Sequence, residues 1–264
     1  NLNIINLSIS AFKILFNNEL KKKIFKNIRI VMAGGMQMSY TTLIEYKKKF
    51  PRAEIVNFYG CTENSPRISH YHIKDFTKIK NKTHQNLPVG KSIRGVSIKI
   101  VNNESNQFGK IYISGSSLMR GYLTTNKNLI KKIKNKWFDT GDIGFFDEQK
   151  NLILMGRVDD TFRVGHEKLC PEEIEPIIKK KLKLQEAIIG KSKNNLLGWE
   201  PVLVLNKRDY IKKKYNLIKL KENLVDYLDN YKIPKKILYL KKLPKTLYGK
   251  INRKKINEII RKRY

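Results

Sequence analysis

Acidic residues are scarce in this chain. Its 264 residues carry 23 Asp and Glu against 55 Lys and Arg, a formal net charge of +32. Cysteine is scarcer still, with Cys61 and Cys170 the only two. That is too few for a disulfide framework, which excludes a small stapled secreted fold and suits a reducing compartment. No apolar run approaches the roughly 20 residues that span a bilayer. Nor does the N-terminus show a basic stretch followed by an apolar block, the pattern of a signal peptide. The expectation is a cytoplasmic protein without a membrane span.

What is plentiful is lysine. The basic residues divide into 44 lysines and 11 arginines, accompanied by abundant Ile and Asn, the mixture an AT-rich coding bias produces. Runs such as Lys47 to Lys49 and Lys179 to Lys181 recur along the chain with no recognised nucleic-acid module around them. A solvated lysine surface is the simpler reading, and no specific nucleic-acid partner is expected. The positive field still draws phosphorylated cofactors and acidic partners. Hydrophobic content of 41% at this length supports a globular core in one large or two smaller domains.

The periodicities divide the chain in three. Helical spacing over Ala11 to Phe16 precedes a buried strand, Ile28 to Ala33, that ends at Gly34-Gly35. A helix over about 41–50, stopped by Pro51, leads to a second strand, Ala53 to Gly60. This alternation predicts a parallel sheet, with ligands beyond the carboxyl ends of its strands. From 87 to 158 short strands (Val96 to Val101, Lys110 to Ser114, Trp137-Phe138, Leu152 to Met155) separated by Gly-containing turns predict a small antiparallel, barrel-like subdomain. Residues 159–264 read as a separate small α+β domain. Its predicted helices are Glu172 to Leu182 and Lys219 to Tyr231, and its strands lie near Ala187 to Gly190, Pro201 to Asn206 and Ile237 to Lys241. The expected fold class is therefore α/β: a large domain over 1–158, α/β to about 86, followed by the small domain.

Four motifs carry chemistry: Tyr59-Gly60-Cys61-Thr62-Glu63, Trp137-Phe138-Asp139-Thr140-Gly141-Asp142, Gly156-Arg157-Val158-Asp159-Asp160 and Pro244-Lys245-Thr246-Leu247-Tyr248-Gly249-Lys250. Singly each is weak. A strand end that delivers an aromatic, a Gly, a hydroxyl and a carboxylate can stack a base, approach a phosphate and hold a hard cation. Thr140-Gly141-Asp142 also reads as an Asx-type turn, and Asp159-Asp160 as a polar linker.

In this order and spacing, with Glu173-Ile174-Glu175 between the last two, the motifs resemble the adenylate-forming superfamily. Its members are acyl- and aryl-CoA synthetases, peptide-synthetase adenylation domains and luciferases, and this chain looks most like the C-terminal portion of an acyl-CoA synthetase. The resemblance covers about Ile28 to Arg253. It implies ATP-dependent activation of a carboxylic acid to an acyl adenylate, then transfer to a thiol of CoA or of an acidic carrier protein bearing phosphopantetheine. It also implies residue roles. Tyr59 stacks on adenine, Asn57 bonds the adenine amino group, and Gly35 lets the backbone approach the purine. Thr62 contacts the α-phosphate and Glu63 ligates Mg²⁺. Asp142 holds the ribose hydroxyls, Arg157 contacts ribose and phosphate, and Lys168 takes a phosphate-contacting position. Asp159 is the hinge of a mobile small domain. Lys250 stabilises charge as the carboxylate attacks the α-phosphate.

Family members also carry a Ser/Thr/Gly-rich phosphate loop well upstream of the tyrosine, and none occurs before Tyr59 here. The sequence is accordingly expected to be a fragment, a split gene product or a decayed gene that needs a separate N-terminal half. Gly165-His166 shifts the family's Gly beside the pantetheine tunnel by one place, Arg163 replaces a common Lys, and Lys110 replaces a common Glu. Apolar Met36, Met38 and Ile68 near the site suit an acyl or aryl acid, and a fatty or other acyl acid is favoured over an amino acid because no carboxylate for an α-amino group is identified. Two alternatives stay open: an inactive remnant or AMP-binding module, and a basic nucleic-acid binder.

Overall fold

The computed structural model describes residues 3–17, 20, 23–74, 86–102, 108–123, 130–132, 136–184, 186–206, 216–247 and 249–264. Tyr248 of the last motif lies outside them. The chain divides into two compact units, Asn1–Met155 and Gly156–Tyr264.

In the first unit, β1 (Ile4–Asn6), β2 (Ile30–Ala33) and β3 (Glu54–Tyr59) pair in parallel. Helix α1 (Ile9–Asn17) links β1 to β2, and α2 (Tyr40–Lys49) links β2 to β3. Each strand–helix–strand unit delivers the carboxyl end of its strands to the same edge. The Ser39 side chain caps α2 by accepting from Thr42 N–H, and Lys47 to Lys49 complement its C-terminal dipole. Between the helices and this sheet lies a core of Phe12, Phe16, Leu43, Tyr46 and Phe50, in which the Phe12 and Tyr46 rings stack with centroids 3.9 Å apart. The sheet is not purely parallel. Strands β4 (Ser69–Ile73) and β5 (Lys91–Ser92) extend it antiparallel. The histidines of β4 point away from the core, so its apolar signal was too thin to read.

The β-rich part is an open four-stranded sheet in the order β11-β10-β7-β6. These strands are β6 (Val96–Val101), β7 (Gly109–Gly115), β10 (Phe138–Phe146) and β11 (Leu152–Arg157). A two-stranded ribbon of β8 (Gly121–Leu123) and β9 (Ile130–Lys132) accompanies it. No closed barrel forms among the described residues: β6 and β11 are the two edges, and neither pairs with the other. One face of this sheet closes over Tyr59, Ile68 and Val89 in a shared core. Strand β10 is far longer than the expected Trp137-Phe138, because it runs on through Thr140-Gly141-Asp142.

In the second unit the hairpin β12 (Phe162–Val164) and β13 (Glu167–Leu169) precedes α3 (Pro171–Leu182). Helix α3 has Pro171 at its start, Glu172 and Glu173 in the first turn and Lys179 to Lys181 in the last, the charge order a helix dipole favours. A three-stranded sheet follows, with β15 (Gly198–Asn206) between antiparallel β14 (Ile188–Asn194) and parallel β16 (Lys236–Leu240). Alternation along β15 explains the layers. Leu203 and Leu205 face α3 and α4 (Leu217–Leu224), while Val202 and Val204 face α5 (Arg253–Arg263). The helix expected over Lys219 to Tyr231 stops at Leu224, and a 3-10 turn occupies Asn230–Lys232.

Candidate functional site

Asn57 and Tyr59 stand two residues apart on β3 and so share one face of the sheet, at its carboxyl end. Ser69 of β4 lies directly opposite Tyr59 on that same face. The Tyr59 hydroxyl donates to Asp142 Oδ2 at 2.6 Å, joining β3 to β10 across 83 residues of sequence. Burial foremost, and then the Asp142 charge, hold the Tyr59 phenol well above its ordinary range. Asn57 is fully buried, and its Nδ2 donates to the Pro88 carbonyl at 2.8 Å. Its Oδ1 has no partner, and neither does Ser69 Oγ; among the described residues these are the two buried side-chain polar atoms left unpaired. Leaving such an atom unpaired costs about 1–3 kcal/mol. Both sit on the face that carries Tyr59. The sequence did not single out Ser69, since a serine on a strand carries no signal of its own.

Asp142 is presented by a β-bulge rather than by a free turn. Pairing between β10 and β7 jumps from Asp139–Tyr112 to Ile143–Lys110. In the interval Gly141 takes φ +70, its N–H donates to Asp139 Oδ1 at 2.9 Å, and Asp142 N–H donates to Thr140 Oγ1 at 3.1 Å. A bulge of this kind re-aims one side chain out of the alternating pattern. The Asx contact that forms is made by Asp139, one residue before the expected Thr140-Gly141-Asp142, and it lies inside a strand.

After β3 the chain enters a short 3-10 turn, Thr62–Asn64. Gly60 is required by packing. A Cβ there would stand 1.5 Å from the Pro66 carbonyl oxygen, so the return of the chain leaves no room for a side chain. Glu63 accepts the Tyr122 hydroxyl on Oε1 at 2.6 Å. Burial, followed by the Glu63 charge, pushes the Cys61 thiol up to about 12. Gly35, with φ +79, lies in the loop after β2. Two of the three apolar residues expected near the site are fully buried. Met38 packs under the first sheet and Ile68 under the second, both fully buried. Met36 packs against the first core and accepts the Ser10 hydroxyl on its sulfur.

Arg157, Asp159, Lys168 and Lys250 belong to the second unit. Arg157 ends β11 with its side chain exposed, and its carbonyl accepts the Thr161 hydroxyl at 2.8 Å. Asp159 is exposed and Asp160 half-buried in the following turn. Lys168 lies on β13 opposite Arg163. Arg163 Nη1 donates to the His166 carbonyl at 2.7 Å, closing the hairpin over Gly165-His166. Lys250 is exposed on a tight loop. That loop is closed by an isolated bridge between Lys245 and Ile251, by Thr246 N–H donating to the Lys250 carbonyl at 2.7 Å, and by Asn252 N–H donating to the Pro244 carbonyl at 3.0 Å.

Beneath this loop Arg253 reaches back into the unit. Its Nη1 and Nη2 meet Glu175 Oε1 and Oε2 at 2.7 and 2.8 Å, its Nε stands 3.5 Å from Asp160, and Nη1 also donates to the Ile189 carbonyl. Glu175 Oε1 in turn accepts Ile189 N–H at 2.7 Å. Burial, offset by Arg253 and Arg157, raises the Asp160 carboxyl. Nothing in the sequence pairs Glu175 with Arg253, because 78 residues separate them.

The family described as AMP-binding enzyme matches residues 1–123. A 2-succinylbenzoate–CoA ligase of Listeria monocytogenes is 31% identical over 234 residues, 88% of this chain and 46% of the relative. A long-chain-fatty-acid–CoA ligase of Haemophilus influenzae is 28% identical over 256 residues, 94% of this chain and 43% of the relative. Among solved structures, the o-succinylbenzoate CoA synthetase of Bacillus subtilis in complex with its acyl-adenylate intermediate superposes with a TM-score of 0.76 at 24% identity. That superposition covers 96% of this chain and 50% of the other. These matches support the adenylate-forming superfamily, and the chain is similar to its acyl- and aryl-CoA ligases. It spans about half the length of the curated relatives it matches. Among the described residues no helix is long and apolar enough to cross a membrane.

Proposed function

We propose that this chain forms the adenine-, ribose-, metal- and lysine-bearing portion of an ATP-dependent acyl-acid ligase. The whole enzyme activates a carboxylic acid as its acyl adenylate and passes the acyl group to a thiol of CoA or of a phosphopantetheine carrier. The observation that carries the reading is the unpaired, buried Asn57 Oδ1 beside Tyr59. The exocyclic amino group of adenine supplies the donor this oxygen lacks, and the Tyr59 ring lies on the same face for stacking. Asp142, already fixed by Tyr59, accepts the ribose hydroxyls, for which a carboxylate has lone pairs enough. Thr62 and Lys168 contact phosphate, Arg157 ribose and phosphate, and the loop at Gly35 passes over the purine.

Magnesium commonly binds through one or two carboxylates together with substrate phosphates. The lone Glu63 carboxylate fits that demand, and a cluster of three acidic or histidine ligands is not called for. Bound with ATP, the cation neutralises phosphate charge. Lys250 contributes a fixed ammonium where charge builds in the transition state, and Asp159 is the hinge on which its unit turns between adenylation and thiolation. The triphosphate grip and the acid pocket are supplied by an N-terminal half.

Calorimetric titration of AMP and GMP into the chain tests the nucleotide part of this reading. AMP should bind more tightly than GMP, and Asn57→Leu should remove the preference. Equal affinity for the two nucleotides would refute it.

A further inference from the structure

One short segment braces the turn that carries Glu63 at three points. Ser117 Oγ donates to Asn64 Oδ1 at 3.1 Å, Met119 N–H donates to the Glu63 carbonyl at 2.8 Å, and the Tyr122 hydroxyl donates to Glu63 Oε1 at 2.6 Å. Neighbour, backbone and carboxylate of the same glutamate are thus held from residues 117–122. We propose that Tyr122 is a positioning residue for the metal at Glu63, fixing the plane of the carboxylate so that it meets the cation in one orientation.

This inference rests on Glu63 being the magnesium ligand. The physical case is that a glutamate has three side-chain torsions, and a half-buried one such as Glu63 can still take several orientations. Ordering it on binding costs free energy that a preformed hydrogen bond has already met. A hydrogen bond to an ionised carboxylate is of the stronger, charge-assisted kind. A phenol keeps its proton at neutral pH, so the Tyr122 hydroxyl serves as a donor to this carboxylate. Tyr122 is itself 46% exposed, so its hydroxyl is not needed to fill a core. Carboxylates that ligate metals are regularly held by such outer partners, whose loss costs about 10–100-fold in metal affinity.

The test is calorimetric titration of ATP into the full chain, once with excess Mg²⁺ and once with EDTA. Wild type should bind ATP more tightly with Mg²⁺, and Glu63→Gln should abolish that difference. Tyr122→Phe should reduce the Mg²⁺ effect by about tenfold, while leaving ATP affinity in EDTA and the thermal midpoint unchanged. In a Glu63→Gln background, Tyr122→Phe should change nothing further. If Mg²⁺ has no effect on wild type, or Glu63→Gln preserves it, the metal reading and this inference fall together. If Glu63→Gln abolishes the effect and Tyr122→Phe leaves it whole, the metal reading stands and the positioning role is overturned. A Tyr122→Phe loss that is equal in EDTA and in Mg²⁺ also overturns it, since a general structural defect would act in both.

Discussion

Arg253 and Glu175 form a two-pronged ion pair, with Nη1 donating to Oε1 at 2.7 Å and Nη2 to Oε2 at 2.8 Å. The pair joins the first residue of α5, three positions beyond Lys250, to the middle of α3. Through Asp160 it also reaches the turn after β11. The carboxylates of Glu175, Glu172 and Asp160 outweigh the cost of burying Arg253 and raise its already high pKa, so the guanidinium stays charged.

Removing one partner leaves the other charged and largely out of water. Arg253→Ala should therefore destabilise the second unit by about 3–5 kcal/mol, read as a fall in the denaturant midpoint. Arg253→Lys keeps the charge but loses the fork, and should fall between the two. An Arg253→Ala variant as stable as wild type would show that the pair does not hold the unit.

Gly60 should tolerate no side chain. A Cβ at 1.5 Å from the Pro66 carbonyl oxygen forces backbone to move, and backbone cannot yield as a side-chain tip does. Gly60→Ala should lower the thermal midpoint of the first unit by several degrees, whereas alanine at Gly198, where a Cβ would meet nothing within 4 Å, should cost only the strain of its positive φ. Circular dichroism melts of the two variants check the ranking.

Stability should fall on the alkaline side. Burial is the first cause that raises the Cys61 thiol to about 12 and the Cys170 thiol to about 11, from an ordinary 9.0. Both pKa values are higher folded than unfolded, so this contribution is fully present below about pH 9. Between pH 9 and the folded values the unfolded chain has released protons that the folded chain keeps, and stability declines as pH rises. Denaturant midpoints from pH 8 to 11 check the sign. Alkylation of Cys61 should likewise still accelerate above pH 10, where an ordinary thiol has levelled.

Much of this architecture was legible in residue patterns, and the reasons are particular. Strands β2 and β3 are runs of buried apolar residues ending in glycine, and α2 lies between a serine cap and Pro51, so local signals agreed with the final fold. Strand β4 hid because Ser69, His70 and His72 dilute its alternation. The bulge at Gly141 hid because a Gly flanked by Thr and Asp reads as a turn wherever it occurs. The pairings of Tyr59 with Asp142, Tyr122 with Glu63 and Arg253 with Glu175 connect distant segments. Spacing fixes a motif, but only the folded chain brings its partners into reach.

The central claim is that this chain carries the lysine half of an acid-activating site. It is tested most directly by carboxylate-dependent exchange of pyrophosphate into ATP, measured on the chain combined with an N-terminal half that carries the Ser/Thr/Gly-rich phosphate loop. The expected result is exchange by the wild-type pair and a loss of about 100-fold or more with Lys250→Ala, at unchanged stability. Exchange that survives Lys250→Ala undiminished, or none from a folded wild-type pair with any carboxylate offered, would contradict the account.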